Sequence, residues 1–294
     1  MKKLGFVGLG IMGRPMAKNL LKGGYDLAVY DLNKEVVKEF VQDGAEEKDL
    51  VTIGEECDVI FTILPNGKIV QDVLFGENGI TSKIKSGTIV VDMSSVTPTE
   101  SKYCAEMLEK FGVGFIDAPV SGGEPKAIDG TLAFMAGGKE DVYEKVVPYF
   151  NTMGSSAILI GPSGSGSVTK LTNQIIVNLT IAAVSEGFVL ASKAGADPEK
   201  VYQAIKGGLA GSTVLDAKVP MMINRDFKPG GKISINLKDI KNVMSTAHDI
   251  DVPLPMTSQL LEIMQGLKVS GNLDDDHAAI VKHFERLAGV EVSK

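Results

Sequence analysis

The chain has 294 residues, 44% of them hydrophobic and 23% charged, with a formal net charge of −7, which suits a globular protein of two domains at the usual ~100–200 residues each. A pI near 5.2, with no lysine- and arginine-rich stripe interleaved with aromatics, excludes nucleic acid as an expected partner and favours a small ligand. Cys57 and Cys104 lie in apolar runs without CxxC or histidine spacing, so both are expected to be packed thiols in a reducing compartment.

Met1-Lys2-Lys3 is not read as a signal peptide, because Gly5, Gly8, Gly10 and Gly13 break the apolar run behind it and Arg14 follows at once. No window reaches the ~18–20 consecutive apolar residues of a membrane span, since the run from Leu171 is interrupted by Asn173, Asn178 and Glu186. A cytoplasmic protein without a membrane partner is expected. From Lys3 to about Ile160 short β-rich runs alternate with amphipathic stretches, the pattern of βα units on a largely parallel sheet. Strands are predicted near 3–8, 26–30, 58–63, 88–92, 113–117, 131–136 and 156–160, with helices such as 12–22, 34–42, 98–111 and 139–150 between them. Beyond Gly161 the alternation stops, and 165–194, 198–207, 237–249, 255–269 and 276–288 all read as helices. The acidic run Asp274-Asp275-Asp276 reads as a solvated helix start.

Gly8-Leu9-Gly10-Ile11-Met12-Gly13 forms G-x-G-x-x-G directly after the apolar run Leu4 to Val7 and directly before a helix. In that setting the first glycine permits a tight turn, the second lets the backbone approach a pyrophosphate, and the third allows close helix packing. Such a turn also serves FAD and S-adenosylmethionine folds. Asp31 ends the second strand 18 residues beyond Gly13, near the ~20 expected of the acid that binds the ribose hydroxyls. A carboxylate there repels a 2′-phosphate and no arginine follows it, so NAD(H) is preferred, with NADP(H) still possible. Two further strands end in Leu64-Pro65-Asn66 and in Met93-Ser94-Ser95, at the carboxyl edge where ligands sit in open α/β sheets. Leu64, Pro65, Asn66 and Ser95 are candidate cofactor contacts; equally, Ser94 and Ser95 suit caps for the helix that follows.

Asp117-Ala118-Pro119-Val120-Ser121-Gly122-Gly123 places a hydroxyl and two consecutive glycines after an apolar strand, a loop that suits an anion nest and also an ordinary turn. The stretch from Gly161 to Gly187 opens with Pro, Gly and Ser, offering Ser165 or Ser167 as a helix cap, and continues as a long helix. On that helix Lys170, Asn173, Gln174, Asn178 and Ser185 share one stripe at roughly 100° per residue. The stripe fits either a ligand-facing groove or a solvated lysine beside satisfied amides. Beside a nicotinamide fold, Lys170 suits a proton donor to a carbonyl oxygen receiving hydride. The three histidines, His248, His277 and His283, all fall late in the chain with no zinc spacing, so no metal is expected.

The segments FVGLGIMGRPMAKNL, DAPVSGGEPKAIDGTL and GSGSVTKLTNQ resemble the signatures of the β-hydroxyacid dehydrogenase family, and the likeness runs from about Lys2 to the C-terminus. DAPVSGGEPKAIDGTL and YQAIKGGLAGSTVLDAK look most like those members that reduce tartronate semialdehyde to glycerate; 3-hydroxyisobutyrate is the alternative substrate of the same family. The resemblance implies a Rossmann-type domain over 1–162, then an all-α domain over 163–294 for substrate closure and oligomerisation, joined by a long interdomain helix. It implies Lys170 as catalytic lysine with Asn173 as its amide partner, and Ser121, Gly122 and Gly123 as the substrate loop. It also implies Lys238, which the residues alone leave as a solvent lysine, near nicotinamide and substrate. A homodimer or homotetramer is implied as well. NADP-dependent relatives carry Asn-Arg where this chain has Asp31-Leu32. A nucleotide-sensing module without chemistry is the competing class, and the presence of both Lys170 and Asn173 argues against it.

Overall fold

The structure, a computed structural model, describes residues 2–293, and the chain divides into two compact units, Met1–Lys170 and Leu171–Lys294. The first unit opens with β1 (Leu4–Val7), α1 (Gly13–Lys22), β2 (Leu27–Tyr30), α2 (Lys34–Gln42), β3 (Glu46–Glu47) and α3 (Leu50–Glu56). It continues through β4 (Val59–Thr62), α4 (Gly67–Phe75), β5 (Ile89–Asp92), α5 (Pro98–Glu109) and β6 (Gly114–Asp117). After them come β7 (Val120–Ser121), α6 (Gly123–Ile128), β8 (Leu132–Gly138), α7 (Glu140–Met153) and β9 (Gly154–Gly161). The sheet order is β3-β2-β1-β4-β5-β6-β8-β7, with β9 on the other edge of β8. Pairing is parallel from β3 to β6, and β8 then runs antiparallel to β6.

Alternation along the central strands explains why both faces are covered. Leu4, Phe6, Val29, Val59 and Phe61 pack on one side with Met16 and Leu20 of α1 and Phe40 of α2. Val7, Ile60, Val90 and Phe115 point the other way onto Ile53, Val70, Leu74 and Leu108. Full burial of each such side chain contributes about 1.5–3 kcal/mol. Local chemistry starts the helices: Asn33, Asp49 and Asn66 accept hydrogen bonds from backbone N–H groups of α2, α3 and α4, and Thr97 forms a reciprocal capping box with Glu100 ahead of Pro98.

α8 (Ser165–Lys193) begins in the first unit and continues into the second. The second unit then holds α9 (Pro198–Ile205), α10 (Thr213–Ile223), α11 (Ile233–Asp249), α12 (Pro255–Val269), a 3₁₀ turn over His277–Ile280, and α13 (Val281–Ala288). Phe188, Leu215, Met222, Ile240, Met264, Leu267 and Ile280 form its core.

Three expectations change. α10 is absent from the predicted helices because GGLAG precedes it and Pro220 lies inside it; burial of Leu215, Val219, Met222 and Ile223 and the Ser212 cap outweigh both. Asp276 is not solvated: it is fully buried, pairs with Lys218 Nζ at 2.8 Å and accepts from the amides of Gly230, Gly231 and Ala278. Only Asp274 and Asp275 stand at the surface end of that run, paired with Lys232 and Lys282. Finally, α8 is long and apolar enough by composition to cross a membrane, although no uninterrupted apolar run exists. Part of that apolarity serves the helical core, where Leu171, Ile181, Phe188 and Val189 are buried, while Gln174, Asn178 and Ser185 are buried against partners and Ile176 and Leu190 stay exposed.

Candidate active site

The glycine turn is shaped by contacts that leave no room for side chains at its two ends. Gly8 has φ +100°, and a Cβ there would stand 2.3 Å from the carbonyl oxygen of Ile63; at Gly13 it would stand 1.9 Å from the Gly8 oxygen. Gly10 differs, because a Cβ would meet nothing within 4 Å. The opening of α1 carries neither a capping side chain nor an acidic residue in its first turn. Leu9 is buried while Ile11 is exposed, and Met12 occupies the N-cap. A bare helix N-terminus behind an open glycine suits a pyrophosphate, so these residues fit a dinucleotide.

Asp31 closes the turn from the neighbouring strand. Its Oδ2 accepts from Leu9 N at 2.6 Å and its Oδ1 from Asn33 N at 2.7 Å, which fixes a carboxylate at the carboxyl end of β2. Leu32 beside it is 85% exposed. At the next strand ends, Leu64 N donates to Ser94 Oγ at 2.8 Å, and Ser94 Oγ donates to the buried Asp92. Asn66 follows the exposed Pro65 and caps α4 through Ile69 N at 3.0 Å. Neither Ser94 nor Ser95 caps α5; Thr97 does, with Glu100 returning the bond. Ser94 is instead held by Asp92, and Ser95 stands half-buried at the strand edge.

Gly122 and Gly123 adopt φ +140° and +71° and lead into the short helix α6, so the loop does need its glycines. Lys170 Nζ donates to the carbonyl oxygen of Val120 at 3.0 Å, bringing the lysine within one residue of Ser121. Ser165 is already the first helical residue of α8 and Ser167 the third, so neither stands at the cap position expected of them. Asp117 reaches back from β6 instead, accepting from Gly164 N at 2.7 Å and Ser167 N at 2.8 Å, while Ser167 Oγ pairs with Ser101 Oγ. Burial pushes the Asp117 carboxyl up to about 7, against the pull of the amide hydrogen bonds from Gly164, Ser167 and its own residue, with the Asp92 charge adding to the rise.

In the helical unit, Asn173 Nδ2 donates to Gln174 Oε1 at 3.1 Å, and Gln174 Nε2 donates to Asp239 Oδ2 at 2.7 Å and Asn236 Oδ1 at 3.1 Å. Asp239 in turn pairs with Lys238 Nζ at 2.9 Å. Lys238 is therefore ion-paired and half-buried rather than a solvent lysine, and Asp239 and the buried Gln174 link it to Asn173. The polar stripe on α8 divides accordingly: Asn173 is half-buried, whereas Gln174, Asn178 and Ser185 are buried and bonded internally. Asn178 donates to Gln174 O and faces His277 Nδ1 at 3.2 Å, and Ser185 donates to Ile181 O. Past Asn173 these amides and hydroxyls are buried and bonded within α8 or to Asn236, Asp239 and His277 rather than to water.

Residues 3–161 match the family described as NAD binding domain of 6-phosphogluconate dehydrogenase, and residues 164–284 match the one described as NAD-binding of NADP-dependent 3-hydroxyisobutyrate dehydrogenase. The chain is 43% identical to the 2-hydroxy-3-oxopropionate reductase of Escherichia coli (strain K12), over 97% of this chain and 98% of that protein. The chain belongs to the β-hydroxyacid dehydrogenase family. A second relative of this dehydrogenase, the 2-(hydroxymethyl)glutarate dehydrogenase of Eubacterium barkeri, is 36% identical over 99% of the chain and 97% of its own length. Among solved structures, the 3-hydroxyisobutyrate dehydrogenase of Mycobacterium tuberculosis with L-serine matches with a TM-score of 0.88 at 27% identity, covering 97% of this chain and 99% of that one. The protein is an NAD(P)-dependent oxidoreductase whose Rossmann domain precedes a helical domain.

In this dehydrogenase the residue order does not mark the roles of Asp117, Gln174, Asn236 and Asp239. Asp117 heads the DAPVSGG stretch and Asp239 follows Lys238, but nothing local to them marks partners dozens of residues away. Gln174 gave one signal, its place on a polar stripe of an otherwise apolar helix.

Proposed function

We propose that the enzyme reduces tartronate semialdehyde (2-hydroxy-3-oxopropanoate) to glycerate with NADH. The observation that carries the reading is the Lys170 ammonium, held 3.0 Å from the Val120 carbonyl beside the Ser121-Gly122-Gly123 loop. The nicotinamide, when bound, supplies the hydride that reduces the aldehyde carbon. Lys170 gives its proton to the carbonyl oxygen, so the aldehyde leaves as a primary alcohol. Ser121 and the amides of Gly122 and Gly123 bind the substrate carboxylate, Asn173 the remaining hydroxyl, and Lys238 stands near nicotinamide and substrate. Gly8 to Gly13 hold the pyrophosphate, and Leu64, Pro65, Asn66 and Ser95 line the nicotinamide side. The Asp31 carboxylate and the exposed Leu32 favour NADH, because a 2′-phosphate there would meet a negative charge and no arginine.

The choice of substrate is supported by the 43% identity to the Escherichia coli reductase. Initial rates with NADH at one pH test it: kcat/KM for tartronate semialdehyde is expected to exceed that for methylmalonate semialdehyde by about 10–100-fold. The methyl group of the latter leaves a buried polar partner unpaired at ~1–3 kcal/mol, with ~1.4 kcal/mol per tenfold. Equal or reversed values would overturn the substrate while sparing the family. We further infer a cytoplasmic homodimer or homotetramer. Leu190 and Leu287, 72% and 76% exposed on the helical unit, line one apolar groove with Val189 and Phe284, a surface suited to a second copy. Light scattering that returns a monomer at micromolar concentration would overturn this.

A further inference from the structure

Two hydrogen-bonded contacts between the 117–120 segment and the first turns of α8 share one offset. Asp117 Oδ2 meets the amide of Ser167, and Val120 O meets the ammonium of Lys170, at 2.8 Å and 3.0 Å. We propose that Asp117 is a positioning residue for the reduction: its carboxylate caps α8 from β6 and so fixes where Lys170 stands against the substrate loop. The inference rests on Lys170 being the proton donor.

The approach is close on every side. A Cβ on Gly166 would stand 2.5 Å from the Asp117 carbonyl oxygen and 2.9 Å from its Oδ2, and one on Gly137 would stand 2.7 Å from its Oδ1. Both glycines are thus needed for the carboxylate to lie against the helix. Asp117 itself is 1% exposed. Its two oxygens take one amide each, and their charge faces the positive end of α8. An asparagine offers a single acceptor and turns its NH₂ against the second N–H. Burying an ionisable group here has a cost, seen in the carboxyl pushed up to about 7 by desolvation. A serine or threonine, with a single oxygen, would leave one of the two amides without this partner, so the carboxylate both caps α8 and registers the helix that carries the reacting lysine.

The consequence is kinetic, because displacing a catalytic group by about 1 Å can lower turnover ~100-fold with binding intact. The test compares Asp117→Asn and Asp117→Ser, each alone and combined with Lys170→Ala, by kcat, KM and NADH Kd from fluorescence titration. Either Asp117 variant is expected to lose about 10–100-fold in kcat with NADH Kd unchanged, and to lose little further in the Lys170→Ala background, as groups that act through one another do. A wild-type kcat in the Asp117 variants, or a loss that adds in full to that of Lys170→Ala, would overturn the proposal. So would failure of both variants to bind NADH, which would make Asp117 a stability residue of the domain. Lys170→Ala alone decides the catalytic reading: wild-type turnover there sinks that reading and this inference together, whereas a large loss beside unaffected Asp117 variants sinks only the inference.

Discussion

Gly10→Ala and Gly13→Ala separate cofactor binding from folding within one turn. At Gly13 the new Cβ would lie 1.9 Å from the Gly8 oxygen and 2.8 Å from Ile63 Cγ2. Reaching ordinary contact at 3.4 Å from that oxygen requires α1 to retreat by about 1.5 Å, where the neighbours are backbone and a packed isoleucine. Overpacking of this kind costs about 1–3 kcal/mol, and at ~2–4 °C per kcal/mol for a unit of this size Tm is expected to fall by roughly 2–12 °C. At Gly10 a Cβ meets nothing within 4 Å and the backbone is outside the positive-φ region. Stability there is expected to stay within ~0.5 kcal/mol, or to rise slightly as the unfolded chain loses freedom. The added methyl would stand where the pyrophosphate approaches, so NADH Kd is expected to rise about 10–100-fold, or ~1.4–2.8 kcal/mol. Thermal unfolding without dinucleotide and fluorescence titration with NADH read the two effects separately. Gly10→Ala that melts as early as Gly13→Ala, or binds NADH as wild type does, would refute the assignment of the turn.

Lys170→Ala is expected to lower kcat by ~10²–10⁴ with NADH binding retained, and near wild-type turnover would remove the lysine from the mechanism. Asp31→Asn combined with Leu32→Arg should shift the ratio of kcat/KM toward NADPH by removing a repulsive charge and adding a phosphate partner; a wild type already preferring NADPH contradicts the reading of that strand end. Burial pushes the thiols of Cys57 and Cys104 from the ordinary 9.0 up to about 12. The native protein should therefore resist a thiol-specific reagent at pH 8 and react only when unfolded. Because the folded state keeps protons that the unfolded chain releases, these two groups make stability fall as pH rises above about 9, and a stability flat or rising from pH 9 to 11 would contradict their burial.

Features whose chemistry is local were legible in the order of residues. The glycine turn lies between a strand and a helix, Asp31 closes the next strand, and Asn33, Asp49 and Asn66 sit directly before the helices they cap, so propensity and spacing already contain the physics. The short apolar runs of β1, β4 and β5 and the apolar character of α8 followed for the same reason. Harder cases arose where a residue's partner is remote in the chain. α10 forms around Pro220 because its buried face outweighs its propensity, and β3 and β7, two residues each, exist only through pairing with β2 and β8. Asp276 looked like part of a solvated run until Lys218 and three amides enclosed it. The sequence by itself determined which groups this dehydrogenase can bring to a nicotinamide, since residue types and their local spacing are fixed by the chain. Only the tertiary structure decided that Asp117 caps α8 from 47 residues away and that Gln174 ties Asn173 to Asp239. Hydrogen bonds between distant segments leave no period in the sequence, and the energy that selects them appears only once burial has removed water as the competing partner.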